Sequence, residues 1–142
     1  MSFPRVAIII LNWNGWEDTL ECLESVYQIN YPEYDVIVVD NNSEDISIKK
    51  IEDYCAGYIK VDSNFFNYQN KNPIKIFEYS SNELQSSKLP EMDVINSVKP
   101  NEKLILIKNH KNYGFAKGNN IGISYALKSL DADYVLLLNN DT

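Results

Sequence analysis

Three of the most apolar runs in this sequence end in residues able to bind a ligand. VAIIIL (6–11) runs into Asn12, Trp13 and Asn14, DVIVVD (35–40) closes on Asp40 with Asn41, Asn42 and Ser43 behind it, and Val135 to Leu138 deliver Asn139, Asn140 and Asp141. Amides both donate and accept hydrogen bonds, whereas an ionised carboxylate only accepts. A strand covered on both faces has no packing use for such groups at its tip. Their recurrence predicts one polar rim, formed where several strands end.

Charge narrows what that rim can hold. The chain has 142 residues, 13 cationic against 20 acidic side chains, and a net charge of −7. No basic face can be assembled from that balance, which excludes nucleic acid as a partner. An anionic ligand would meet a repulsive average field and would need a local positive device, a helix N-terminus or a metal ion. No stretch reaches the ~20 apolar residues of a membrane span, and the run 6–11 is too short for a secretory signal. Cys22 and Cys55 form no CxxC pattern; a disulfide between them is possible but unforced, and two reduced thiols in a cytoplasmic protein are the expectation. His110, the only histidine, has no nucleophile beside it in sequence and reads as an ordinary loop residue.

The elements that must position these residues alternate. The runs 6–11, 35–40, 103–108 and 134–139 are continuous and rich in apolar side chains, as expected of central strands covered on both faces. Between the first two, Leu20, Leu23 and Tyr27 recur at helical spacing, with acids near the start and Pro32 as the stop. Ser43 or Asp45 is placed to cap a helix over about 46–54. NYGFAKGNNIGISYALKSL (112–130) reads as a glycine-marked loop entering a helix. Strand–helix–strand repetition implies an α/β fold, a Rossmann-like three-layer sandwich with a mainly parallel sheet. Ligands of such sheets bind beyond the carboxyl ends of the strands. The chain reads as one domain, 1–142, with an insertion at about 55–102. That segment holds one strand-like piece, PIKIFEY (73–79), expected beside 103–108, with 80–100 mobile or locally helical; the rest reads as a solvated excursion, with a lid facing substrate or partner as the alternative.

VAIIILNWNG, VIVVDNNSED, NYGFAKGNNIGISYAL and YVLLLNNDT resemble, in order and spacing, the nucleotide-sugar half of a family 2 glycosyltransferase of the GT-A fold. The nearest subgroup is the rhamnosyltransferase-like enzymes. The resemblance implies a nucleoside-diphosphate sugar, UDP- or dTDP-linked, held with Mg²⁺ or Mn²⁺, and an acceptor glycan or lipid-linked glycan. It implies that Asn12, Trp13 and Asn14 frame the base, the indole of Trp13 offering it a flat face. Asp40 or Asn41 would accept from a pyrimidine N3–H, although members often carry a second acid where Asn41 stands. An Asx-turn or helix cap made by Asp40 would use the same oxygens. Gly118, Asn119 and Asn120 would lie beside the diphosphate, whereas Gly122 would permit close helix–sheet packing. Asn139–Asn140–Asp141 matches the DxD metal motif with Asn in place of the first acid, leaving Asp141 to hold the metal and Asn140 to touch the nucleotide.

By the same resemblance the reaction is an inverting displacement, an acceptor hydroxyl attacking the anomeric carbon while a carboxylate takes its proton. That base is expected beyond Thr142. The reading is therefore of a truncated donor-binding part, inactive alone, with a non-catalytic nucleotide-binding or protein-interaction module of the same fold as the alternative.

Overall fold

The β-branched runs form strands and the amphipathic segments form helices, in strict alternation. In this computed structural model, residues 3–61, 73–85 and 91–141 are described. Strands β1 (Val6–Asn12), β2 (Tyr34–Asp40), β3 (Lys75–Ser80), β4 (Lys103–Lys108) and β5 (Tyr134–Leu138) make one sheet ordered β3-β4-β2-β1-β5. All pairings are parallel. The helices are α1 (Trp16–Val26), α2 (Ser47–Cys55), α3 (Met92–Ser97) and α4 (Gly114–Lys128).

Alternation along each central strand builds two cores. Ile8, Ile10, Val36, Val38, Leu104 and Leu106 pack beneath α1 and α2, which contribute Leu20, Leu23, Ile51 and Tyr54. Ile9, Ile37, Val39, Ile105 and Ile107 face the other way, onto Tyr125 and Ala126 of α4 and Ile95 of α3. This is the three-layer sandwich expected.

The helix α4 can lie close because its glycines make room. A Cβ on Gly122 would sit 2.9 Å from Ile9 Cγ2 and 3.0 Å from Val39 Cγ2, which is the packing role its sequence position suggested. Gly122→Ala is expected to cost about 1–3 kcal/mol through overpacking, read as a lower urea midpoint with an unchanged slope.

Several expectations need correcting. The run Val135 to Leu138 was expected to be buried on both faces, but β5 is an edge strand, with Leu136 49% and Leu137 45% exposed. An apolar run records a capacity for burial and does not say which strand ends at the sheet's edge. The first helix stops at Val26, where the Tyr27 N–H bonds the Leu23 carbonyl and the Gln28 N–H the Ser25 carbonyl, and Pro32 falls in the loop beyond. Asp45, not Ser43, serves α2: its Oδ1 accepts the Ser47 N–H at 2.8 Å. The loop expected before α4 is shorter, since Gly114 already opens the helix with φ +82°.

Within 55–102, Cys55 belongs to α2 and Lys75–Ser80 pairs beside β4, as its strand-like pattern suggested. Ile95 of α3 is fully buried. The Asn-rich stretch 62–72 and residues 86–90 lie outside the described residues.

The order of the strands fixes where a ligand would sit. From β1 the chain moves to β2 on one side, and it later returns to place β5 on the other. Beyond the carboxyl end of β1 the neighbouring connections diverge, leaving a crevice.

Candidate functional site

A cleft of about 360 Å³ opens at that point, lined by Leu11, Trp13, Phe115, Asn119 and residues 137–141. Its size is in the range of small-ligand sites. A larger hollow of about 600 Å³ lies along α4 beside Ser81, Asn82 and Leu84, and among the described residues no carboxylate lines it. The smaller cleft is the better candidate because it combines an acid, amides and exposed aromatic faces at the strand tips.

Register explains the convergence. Ile10 pairs with Leu138, so two residues further along each strand Asn12 and Asn140 come level; Asn12 itself pairs with Asp40. A chain of hydrogen bonds joins these tips. Asp40, 2% exposed, accepts from Asn12 Nδ2 at 2.8 Å, from Ser43 Oγ at 2.6 Å and from the Ser43 N–H at 2.9 Å. Asn12 Oδ1 accepts the Thr19 hydroxyl at 2.7 Å, and Thr19 Oγ1 accepts Asn140 Nδ2 at 3.1 Å. Gly15 is the floor beneath that amide: a Cβ there would lie 3.2 Å from Asn140 Nδ2.

Of the residues singled out by sequence, Trp13, Asn119, Asn140 and Asp141 line the cleft. Trp13 is 51% exposed, an indole held out of the core. Asn119 is buried and donates to the Phe115 carbonyl at 3.1 Å. Asp40, Asn12 and Asn41 lie beneath the cleft, not in its lining, and their polar atoms are engaged within the protein. Asn41 accepts from Asn109 Nδ2 at 2.9 Å and donates to the Gly114 carbonyl at 3.0 Å, tying the tips of β2 and β4 to the start of α4. Asn14, at φ 49°, adopts the left-handed conformation that asparagine tolerates. Its Oδ1 accepts the Glu44 and Asp45 N–H groups, and its own N–H bonds Ser43 Oγ.

Gly118 sits one turn into α4. A Cβ there would meet Asn41 Nδ2 and Leu11 Cδ1, each at 2.8 Å, so it shares the packing role of Gly122. Asn120 is exposed and outside the cleft lining.

Two contributors escaped the sequence reading. Phe115 is 60% exposed and borders the cleft with Trp13; the signal was an aromatic left between loop residues with no apolar partner at helical spacing. Thr19 carries no pattern of its own, and only register reveals its use. Neither thiol belongs to the site: burial pushes Cys22 up to about 11 and Cys55 up to about 12, which keeps both protonated and unreactive.

Among the described residues no cluster of three or more His, Cys, Asp or Glu could hold a divalent cation. Asp141, exposed, with amide oxygens beside it, fits instead a hard cation held by one carboxylate and completed by phosphate oxygens of a ligand.

Comparison with known proteins bears on the fold and on the amino-terminal half of the sequence. Residues 7–73, just under half of the chain, match the family model described as Glycosyl transferase family 2. A mannosyltransferase, PcManGT from Pyrobaculum calidifontis, in complex with GDP-Man and Mn²⁺, superposes with a TM-score of 0.60 at 17% identity over 99% of this chain. The fold is that of a GT-A glycosyltransferase. This GT-A chain spans 28% of that mannosyltransferase's length. No curated protein matches the sequence. No helix among the described residues is long and apolar enough to cross a membrane.

Proposed function

We propose that this chain is the donor-binding part of a family 2 glycosyltransferase, holding a nucleoside-diphosphate sugar together with Mg²⁺ or Mn²⁺. The observation that carries the reading is the shared cleft: Trp13, Asn119, Asn140 and Asp141 meet at the carboxyl ends of β1 and β5. The match to the family model over 7–73 and the GT-A architecture support it.

Each residue has a role that its surroundings suit. Trp13 and Phe115, exposed at the cleft, offer aromatic faces on which a nucleobase stacks. Asn119 and Asn140 offer amides to ribose and phosphate oxygens. Asp40 acts from below, through Asn12, because its own oxygens already accept three hydrogen bonds. Asp141 would hold the cation, whose charge offsets that developing on the leaving diphosphate. The donor is UDP- or dTDP-linked and carries a hexose-type sugar of the rhamnosyltransferase-like subgroup, while the structural neighbour was solved with GDP-Man. The acceptor is the hydroxyl of a glycan or lipid-linked glycan, and transfer takes place in the cytoplasm with inversion.

Among the described residues Asp141 is the one acid that lines the cleft, and a carboxylate committed to a cation is a poor base. We therefore expect the 142-residue chain to bind its donor without turning it over. A thermal-shift panel of UDP, dTDP, GDP, NAD and ATP, with and without Mn²⁺, tests the reading. A rise in the midpoint with at least one of the first three, larger with metal and absent with NAD and ATP, is expected. No response to any nucleotide would favour a protein-interaction module. Sustained sugar release by the purified chain would contradict the division between binding and catalysis.

A further inference from the structure

We infer that Thr19 is a positioning residue that fixes the amide of Asn140, so that its carbonyl oxygen rather than its NH₂ group is presented to a divalent cation in the cleft; this rests on the metal-binding reading above. The argument is one of hydrogen-bond direction. An ionised carboxylate accepts and cannot donate, so Asp40 obliges Asn12 to turn its Nδ2 inward, where the bond is 2.8 Å. Asn12 then has only its Oδ1 to offer Thr19, and the Thr19 hydroxyl must spend its one proton on that oxygen, at 2.7 Å. What remains on Thr19 Oγ1 is a lone pair. It can take only a donor from Asn140, and Asn140 Nδ2 is found there at 3.1 Å. That bond fixes the amide plane with Oδ1 on the side away from Thr19, Asn140 lining the cleft together with Asp141.

The polarity of Asp40 thus passes through two side chains to the metal motif, which explains how asparagine serves there. A freely rotating amide would show a cation its NH₂ face half the time, and hard cations take oxygen ligands. Gly15 is part of the same device, because the amide reaches Thr19 across a space that a Cβ at Gly15 would enter, 3.2 Å from Nδ2.

The test follows Mn²⁺ binding to the 142-residue chain by loss of the free-ion paramagnetic resonance signal, with UDP, dTDP or GDP present. Thr19→Val keeps the shape and removes the hydroxyl; it should weaken Mn²⁺ binding about 10- to 100-fold, as loss of a ligand-orienting partner does. Thr19→Ser restores the hydroxyl and should restore binding. In an Asn140→Asp background, where both poles are oxygen, Thr19→Val should have little further effect. Gly15→Ala, which displaces the amide while leaving Thr19 intact, should lower affinity in the same direction and serves if the valine variant does not fold.

Mn²⁺ affinity unchanged in Thr19→Val, or weakened equally in the Asn140→Asp background, overturns the assignment of Thr19 alone. Affinity untouched by Asp141→Ala overturns the metal site itself, and the assignment with it.

Discussion

Asp35→Ala is expected to cost about 3–5 kcal/mol of folding free energy, the usual result of stripping one partner from a buried ion pair. Asp35 is 1% exposed and answers two cations. Arg5 Nε lies 2.7 Å from Oδ2, and Lys103 Nζ lies 2.8 Å from Oδ1. The cations tie in further elements, Arg5 donating to Asn96 Oδ1 at 2.9 Å and Lys103 to the Ile95 carbonyl at 2.9 Å. One carboxylate therefore joins the amino-terminal ends of β1, β2 and β4 to α3. Burial works against the Arg5 charge, yet the hydrogen bond and charge of Asp35 outweigh it and raise the guanidinium above its ordinary value.

Removing Asp35 leaves the Lys103 ammonium, only 4% exposed, without an anion. A loss of that size is a large share of the 5–15 kcal/mol that holds a typical domain, so the variant should unfold at a far lower urea midpoint. Asp35→Leu combined with Lys103→Met should recover much of the loss, since apolar replacement of a buried pair is often neutral. A midpoint shift worth less than about 1 kcal/mol in Asp35→Ala, the level of an exposed pair, would contradict the account. Because the triad sits at the end of the sheet opposite the cleft, Mn²⁺ affinity per folded molecule should not change.

The contrast between β4 and β5 shows how far the sequence is legible. KLILIK (103–108) and YVLLL (134–138) carry the same apolar signal, and both form strands. Only β4 is covered on both faces, because its position inside the sheet is decided by pairing with β2 and β3, and pairing partners leave no trace in hydrophobic periodicity. The same holds at the rim. That Asn12, Asp40 and Asn140 lie at strand tips could be read directly, as could a local turn made by Asp40; that Asp40 also accepts from Asn12 could not. That depends on the register Asn12↔Asp40, set by contacts between residues 28 apart. Gly122 was legible as a packing glycine, whereas Gly118 looked like part of a phosphate loop because the helix start could not be placed to within a turn. Thr19 was the least legible: one polar residue on a buried helix face takes its meaning from what lies across the gap.

Asp141→Asn should change nucleoside-diphosphate affinity in opposite directions with and without metal. At about 4 Å a carboxylate repels one phosphate charge by about 1 kcal/mol in water and about 4 kcal/mol at an effective dielectric of 20. Asp141 is exposed, so the lower value applies. In EDTA the substitution removes that repulsion and should tighten binding about fivefold, the equivalent of ~1 kcal/mol. In Mn²⁺ it removes the one carboxylate of the proposed cation site, and binding should fall by about tenfold or more, as hard cations lose affinity when a charged oxygen ligand is replaced. Uridine or thymidine, lacking phosphate, should be indifferent to both changes. The crossing matters more than either magnitude, because a general loosening of the cleft weakens binding in both conditions and cannot change its sign. Calorimetric titration of one diphosphate against both proteins, in EDTA and in Mn²⁺, measures all four affinities. If Asp141→Asn weakens binding equally in both, the carboxylate holds the shape of the cleft and not a cation.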